Sequence, residues 1–287
     1  MILVSEEKLI ILHINLYHMP IYFNFVFLSL MLASACDSGK LTATADLPSS
    51  LKEISAIEKT STSNMLWVIE DAGNTNNLYG LNAKGDVLKD ISINNIQNID
   101  WEDLTSDTFG NIYIGDFGNN SKKRKSFAIY KVTAPEKASS NTTAEVISFT
   151  MPKGEKSQDF ESFFLYNNKF YVFSKSNKHV KLYWVPNDIG DHEARYISEV
   201  ELKGKNTKVT SADINSDGST VVLLNHDRLW KLTNFDADDF LSGTIKAVEF
   251  DHDSQKEGIN ITDNNMVLIT DEKTKHEGGK LYTMNLN

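Results

Sequence analysis

A short β unit recurs five times along this chain, and the repeat limits the possible folds more than any other feature of the sequence. Each unit begins with an acidic residue at a short apolar strand, continues with a strongly hydrophobic strand that ends in a polar residue, and adds a strand with an aromatic side chain. The leading acids are Glu53, Glu102, Glu161, Asp213 and Glu257. In the fourth unit, an alignment shifted by one residue would put Ala212 in the place of the acid.

The spacing of these units is typical of propeller blades. The acids lie 49, 59, 52 and 44 residues apart, and a four-stranded blade takes roughly 40–50 residues. The fifth unit supplies only three strands, but the strand-like residues 40–45 could complete it and close the ring. The sequence therefore predicts an all-β fold: a single β-propeller of five four-stranded blades over residues 51–287, closed by an N-terminal strand within residues 36–50. Six blades and a β-sandwich are the alternatives.

Residues 1–35 have the character of an export signal. An apolar run over residues 21–35 ends in Ala33, Ser34 and Ala35, directly before the single cysteine, Cys36. This arrangement resembles the lipobox of bacterial lipoproteins, in which the cysteine carries acyl chains such as palmitate and becomes the N-terminus. We expect a membrane-anchored lipoprotein on the exported side of the bacterial envelope, with the outer membrane as its site. An ordinary signal peptide with an incidental cysteine is the alternative, and translation could begin at Met1 or Met19.

The net charge restricts the partners. A formal charge of −10 argues against nucleic acid, since phosphate binding requires clustered Lys and Arg. The basic run at residues 122–125 is interpreted as a solvated loop. We expect a monomer that meets the membrane through its lipid and takes a small molecule or a protein as its ligand.

The most distinctive stretch, residues 100–132, reads DWEDLTSDTFGNIYIGDFGNNSKKRKSFAIYKV. It resembles a family of secreted bacterial β-propeller proteins with no established activity, marked by Asp-Trp-Glu-Asp, by Gly-Asp-Phe-Gly-Asn-Asn and by a following arginine, here Arg124. Residues 158–161, Lys175, residues 210–214 and residues 256–258 are similar to the later marks of that family. The Glu-Gly-Ile mark is more distantly similar to propellers of the esterase-like phytase and SdiA-regulated groups. The resemblance implies the fold and leaves the function open.

Acids repeated in the innermost strands should converge near the propeller axis. Like charges at close range raise each other's pKa, and a hard cation with oxygen ligands relieves their repulsion. The sequence therefore predicts a Ca²⁺ site with Glu102, Glu161, Glu257 and Asp213 as ligands. The alternatives are a structural role, in which the acids accept backbone N–H bonds or pair with Lys175, and catalytic acid/base work. Further candidates for the channel mouth are Asp71, Asp103, Asp116, Lys175, His226 and Asp271.

No catalytic residue is predicted. The chain lacks a Gly-x-Ser-x-Gly elbow, and its histidines show no zinc-ligand spacing. The leading hypothesis is an envelope protein that binds a ligand or a protein through an acidic channel that could hold Ca²⁺. The alternatives are a metal-dependent hydrolase of small esters, lactones or phosphates, and a purely structural envelope component.

Overall fold

The computed structural model describes residues 38–262, 265–275 and 277–286. These residues form a β-propeller of five blades, each an antiparallel sheet of four strands, and the predicted fold is confirmed. The predicted signal peptide, both candidate start sites and Cys36 lie outside the described residues. Among the described residues, no helix is long and apolar enough to cross a membrane.

The strands of each blade follow the chain from the axis outward. Blade 1 consists of Ile54–Lys59, Leu66–Glu70, Asn77–Leu81 and Val87–Ile93. Blade 2 consists of Trp101–Ser106, Ile112–Asp116, Ser126–Val132 and Glu145–Thr150. Blade 3 consists of Phe160–Tyr166, Lys169–Ser174, Val180–Pro186 and Arg195–Val200. Blade 4 consists of Ser211–Ile214, Thr220–Leu224, Arg228–Thr233 and Thr244–Phe250.

Blade 5 is completed by the N-terminal part of the chain. Its three inner strands are Lys256–Ile261, Met266–Asp271 and Lys280–Asn285, and its outer strand is Thr42–Asp46. Thr42 lies opposite Thr283 and Asp46 opposite Lys280, in antiparallel register. The predicted closing strand is therefore present, and it pairs the outer edge of the last blade.

Short segments add a fifth strand to three of the sheets. Ser38–Gly39 pairs in parallel with the outer strand of blade 4, Asn141–Thr142 with that of blade 1, and Gly190–Glu193 with that of blade 2. A 3₁₀ helix spans Pro135–Lys137. Asn141–Thr142 and this helix lie in the chain between the third and fourth strands of blade 2, which explains why the second unit is long without containing a sixth blade.

The hydrophobic core lies between adjacent blades, where the faces of neighbouring sheets pack. Between blades 2 and 3 it is largely aromatic: the rings of Phe117 and Phe163 meet edge to face at 5.2 Å, as do those of Phe127 and Phe160. All four side chains are buried. Edge-to-face pairs add to the energy of burial, so these aromatic residues stabilise the packing of blade 2 against blade 3.

The five inner strands converge on the axis at one equivalent position each. Four of these residues are small and the fifth is an aspartate: Ala56, Ser162, Ser211, Gly258 and Asp103. A Cβ atom on Gly258 would lie 2.7 Å from the backbone nitrogen of Ile57, so no larger residue fits there. The side chains of the other four are fully or almost fully buried. This layer fills the axis and separates two mouths at its opposite ends.

Candidate functional site

A β-bulge at the start of the inner strand aims the predicted acids into one mouth. The register shifts by one residue at Glu102, Glu161 and Glu257, and at Ser55 in blade 1. A bulged residue is left out of the ladder and its side chain is redirected. The four side chains therefore line a cavity of about 50 Å³ at the end of the channel where the inner strands begin.

Residues directly after the second strands complete this mouth. The backbone N–H groups of Asp71, Lys175 and Glu272 each extend the ladder by one bond, at 2.8 to 2.9 Å. Their side chains then point toward the bulged acids and line the same cavity. We call this end of the channel the acidic mouth. It comprises Ser55, Asp71, Asp100, Glu102, Asn120, Glu161, Lys175, Glu257 and Glu272.

Three carboxylates crowd one corner of the acidic mouth. Oxygen atoms of Asp71, Asp100 and Glu102 all lie within 4.8 Å of one another. Burial and the negative charge of Asp71 raise the pKa of Asp100 to about 6. Burial, followed by the charges of Glu161, Asp71 and Asp100, raises the pKa of Glu102 as well. The three groups thus resist simultaneous ionisation unless a positive charge lies between them.

The corner has the ligand atoms that a hard cation requires. A Cβ atom on Gly118 would lie 2.0 Å from Oε1 of Glu102 and 2.4 Å from Cγ of Asp100, so glycine allows these two carboxylates to lie against the backbone. The buried hydroxyl of Ser55, which lines the mouth, has no hydrogen-bond partner among the described residues. Carboxylate and hydroxyl oxygens are the ligands that Ca²⁺ prefers. Asp71, Asp100 and Glu102 therefore fit a cation of this class.

Basic side chains lie beside the acids on the opposite side of the acidic mouth. Nζ of Lys175 lies 2.5 Å from Oε1 of Glu161. Burial opposes the charge on Lys175, but Glu161 and the neighbouring acids more than offset this and raise its pKa. Nε2 of His226 lies 3.0 Å from Oε1 of Glu257, and this contact raises the pKa of the histidine. Glu161 and Glu257 thus each contact a basic side chain directly, whereas Asp71, Asp100 and Glu102 feel only the more distant charges of Lys175 and Arg124.

Solved structures of other proteins are similar to this chain in fold. A glutaminyl cyclase from Myxococcus xanthus is 10% identical, with a TM-score of 0.55 over 86% of this chain and 97% of that chain. A gluconolactonase from Xanthomonas campestris is 9% identical, with a TM-score of 0.51 over 86% of this chain and 89% of that chain. The likeness shows the fold alone. No protein-family model and no curated protein matches the sequence.

The predicted ligand set is divided between the two ends of the channel. Glu102, Glu161 and Glu257 meet in the acidic mouth, but Asp213 lies near the other end of its inner strand and contacts Asn260. The position equivalent to the bulged acids in blade 4 belongs to Thr210, whose N–H bonds the carbonyl of Leu224. In blade 1, Ser55 takes this position, and Glu53 is exposed before the strand.

Three further residues that were predicted to line the channel mouth lie elsewhere in the propeller. Asp103 belongs to the small-residue layer on the axis. Asp116 is buried within blade 2, where it pairs with Arg124 at 2.8 Å and accepts the Tyr130 hydroxyl at 3.3 Å. Asp271 is its counterpart in blade 5 and accepts hydroxyls from Ser254 and Tyr282. Both aspartates stabilise the ends of their own blades, and neither lines the cavity of the acidic mouth.

Sequence reasoning missed four members of the acidic mouth, Ser55, Asp100, Asn120 and Glu272, and also Gly118 beside it. A signal existed for Asp100, Gly118 and Asn120, because they fall in the two motifs that carry the family resemblance. Ser55 and Glu272 gave no such signal, because their roles depend on the bulge and on the position at which the second strand ends.

Proposed function

We propose that the acidic mouth binds a divalent cation of the Ca²⁺ class and that the ion holds blades 1 and 2 together at this end of the channel. The observation that carries this proposal is the corner formed by Asp71, Asp100 and Glu102, with oxygen atoms within 4.8 Å of one another. Asp71 belongs to blade 1, and the other two residues belong to blade 2. A cation would neutralise three carboxylates that otherwise repel each other across the boundary between the blades.

The size of the cavity favours an ion-binding role over hydrolysis at this mouth. A volume of about 50 Å³ accommodates an ion with one or two waters, since a water occupies about 30 Å³ in the liquid. Pockets for organic ligands usually measure about 300–1,000 Å³. A hydrolase of small esters, lactones or phosphates would need room for its substrate beside the ion. We therefore favour a binding protein whose acidic mouth is stabilised by a cation.

Calorimetric titration of Ca²⁺ into protein stripped with EDTA tests the cation site. We expect saturable binding and a higher melting temperature in the wild type, and loss of both in Glu102→Gln. Glu193→Gln is the matched control, because Glu193 is exposed on the outermost strand of blade 2. If the wild type neither binds Ca²⁺ nor contains metal by elemental analysis, the proposed site does not exist.

We further propose that the propeller is held to the bacterial envelope by a lipid on Cys36, with the outer membrane as its site, and that it takes a small molecule or a protein as its ligand. Support comes from the sequence: the apolar run at residues 21–35, the small residues after it and the position of the cysteine. Phase partitioning in Triton X-114 tests the anchor. The wild type should enter the detergent phase and Cys36→Ser the aqueous phase, and equal partitioning of the two would contradict the proposal.

A further inference from the structure

The second mouth of the channel is much larger than the acidic one. It lies where the inner strands end and encloses about 950 Å³, a volume in the range of ligand pockets. The turns between the first and second strands of the blades form its wall. Of the 25 lining residues that the structure describes, 15 are serine, threonine or asparagine, so hydroxyl and amide groups dominate this surface. We call this cavity the wide mouth.

The lining includes a buried polar triad formed by Glu58, Asp213 and Asn260 from three different blades. Nδ2 of Asn260 donates to Oε2 of Glu58 at 3.0 Å and to Oδ2 of Asp213 at 3.1 Å. The amide N–H groups thus bridge the two carboxylates, where a cation would otherwise be expected. The same two bonds fix the orientation of the amide, and its Oδ1 is buried without a hydrogen-bond partner among the described residues.

The triad is held in place by further hydrogen bonds. The Ser106 hydroxyl donates to Oε1 of Glu58 at 2.6 Å, and the Ile261 N–H donates to Oδ2 of Asp213 at 2.6 Å. Burial raises the pKa of Asp213 to about 7, and burial with the charge of Asp213 raises that of Glu58. The triad therefore carries less negative charge than two ordinary carboxylates, and its hydrogen bonds hold this part of the wall of the polar cavity in a fixed arrangement.

We propose that the wide mouth is a second binding site, for a neutral polyhydroxylated ligand of the carbohydrate class. Ligand hydroxyls can exchange hydrogen bonds with the Ser, Thr and Asn side chains of the wall. Phe109, which also lines the cavity, is 82% exposed and offers a flat apolar surface to the C–H face of a sugar ring. This site is separate from the cation site at the acidic mouth.

Binding of defined neutral tetrasaccharides tests this proposal. The full-length protein is kept in a detergent without a sugar headgroup and is mixed with one sugar at a time, each at about 10 mM. The four sugars are cellotetraose, mannotetraose, xylotetraose and chitotetraose. Saturation-transfer NMR and calorimetry report binding. We expect at least one tetrasaccharide to bind saturably, and Asn260→Leu and Phe109→Ala each to weaken it by about tenfold.

Two controls make the outcome decisive. Glu102→Gln alters only the acidic mouth and should leave the affinity for the tetrasaccharide unchanged, so failure of the cation site is distinguishable from failure of this one. Phe109→Ala removes an exposed ring and should leave the fold intact, so it decides the matter if Asn260→Leu unfolds. The proposal is overturned if none of the four sugars binds, or if Phe109→Ala binds as tightly as the wild type.

Discussion

Asp103 and Ser211 are hydrogen-bonded across the propeller axis: Oδ1 of Asp103 accepts the Ser211 hydroxyl at 2.9 Å, although the residues are 108 positions apart. The same carboxylate accepts the N–H of Phe163 at 3.0 Å and of Ala212 at 3.2 Å, and the Ser211 hydroxyl oxygen accepts the N–H of Ile259. Inner strands have one edge without a neighbouring strand, so their N–H groups need other acceptors. One aspartate therefore connects blade 2 to blades 3 and 4, and through Ser211 to blade 5.

We predict that Asp103→Asn lowers the free energy of unfolding by about 3 kcal/mol, because an amide donor would then face backbone donors in a buried position. Urea unfolding followed by circular dichroism measures the change. Asp191→Asn, at an exposed aspartate on the outermost strand of blade 2, should change it by less than about 0.5 kcal/mol. Equal stability of both variants would show that the axial hydrogen bonds contribute little.

Gly118→Ala should abolish the response to Ca²⁺, since the new methyl group would clash with the carboxylates of Glu102 and Asp100 and displace them. The measurement is the difference in melting temperature with and without Ca²⁺. Gly154→Ala is the control: Gly154 has a φ of +91° and nothing within 4 Å of the added Cβ, so alanine strains the backbone in open space. We expect Gly154→Ala to lose stability and keep its full Ca²⁺ response. An unchanged response in Gly118→Ala would place the ion elsewhere.

Lys175→Met should bind Ca²⁺ more tightly than the wild type, by roughly three- to tenfold, because a positive charge near the carboxylates of Asp71 and Glu102 is removed. Without Ca²⁺ the same variant should be less stable, since Glu161 loses its partner. Calorimetric titration measures the affinity, with Lys153→Met, at an exposed lysine, as the control. Weaker binding in Lys175→Met would argue that the lysine supports the site and does not compete with the ion.

In the absence of divalent cations, stability should fall as pH rises from about 4 to 7. Burial raises the pKa of Asp100 to about 6 and that of Glu272 to about 7. The folded state then binds more protons than the unfolded state across this range, and the slope is negative. Each proton contributes at most about 1.4 kcal/mol per pH unit, and less where solvent reaches the group. Urea titrations across this pH range should show the fall, and saturating Ca²⁺ should reduce it while leaving the part that the raised pKa values of Glu58 and Asp213 contribute at the other end of the channel. A rise in stability with pH would contradict the electrostatic description of the acidic mouth.

The repeat made the architecture predictable, because turns and alternating apolar residues locate strands without any knowledge of their partners. The position of each acid within its strand was harder to predict from the sequence. Glu53 and Asp213 occupy plausible places in the repeat, yet the bulge position belongs to Ser55 in blade 1, and Thr210 takes the equivalent place in blade 4. A bulge shifts the register by one residue, and spacing counted along the sequence does not reveal it.

The wide mouth was not predictable from the repeat. Its wall consists of turns between strands, whose lengths and compositions differ from blade to blade, and its triad unites Glu58, Asp213 and Asn260 from distant parts of the chain. Only the closed ring brings these side chains together. The acidic mouth was partly predictable because three of the repeats carry a glutamate at the bulge position.

The strand that closes blade 5 also bears on how the protein folds. The Thr44 hydroxyl donates to the carbonyl of Leu281, 237 positions further along the chain. During synthesis Thr42–Asp46 emerges before the other blade strands and its partner Lys280–Asn285 after them, so this pairing cannot form until all the other blade strands have left the ribosome. Such non-local contacts slow folding, to milliseconds or seconds in small β domains. Removal of Lys280–Asn285 would deprive both Thr42–Asp46 and Met266–Asp271 of a partner at once.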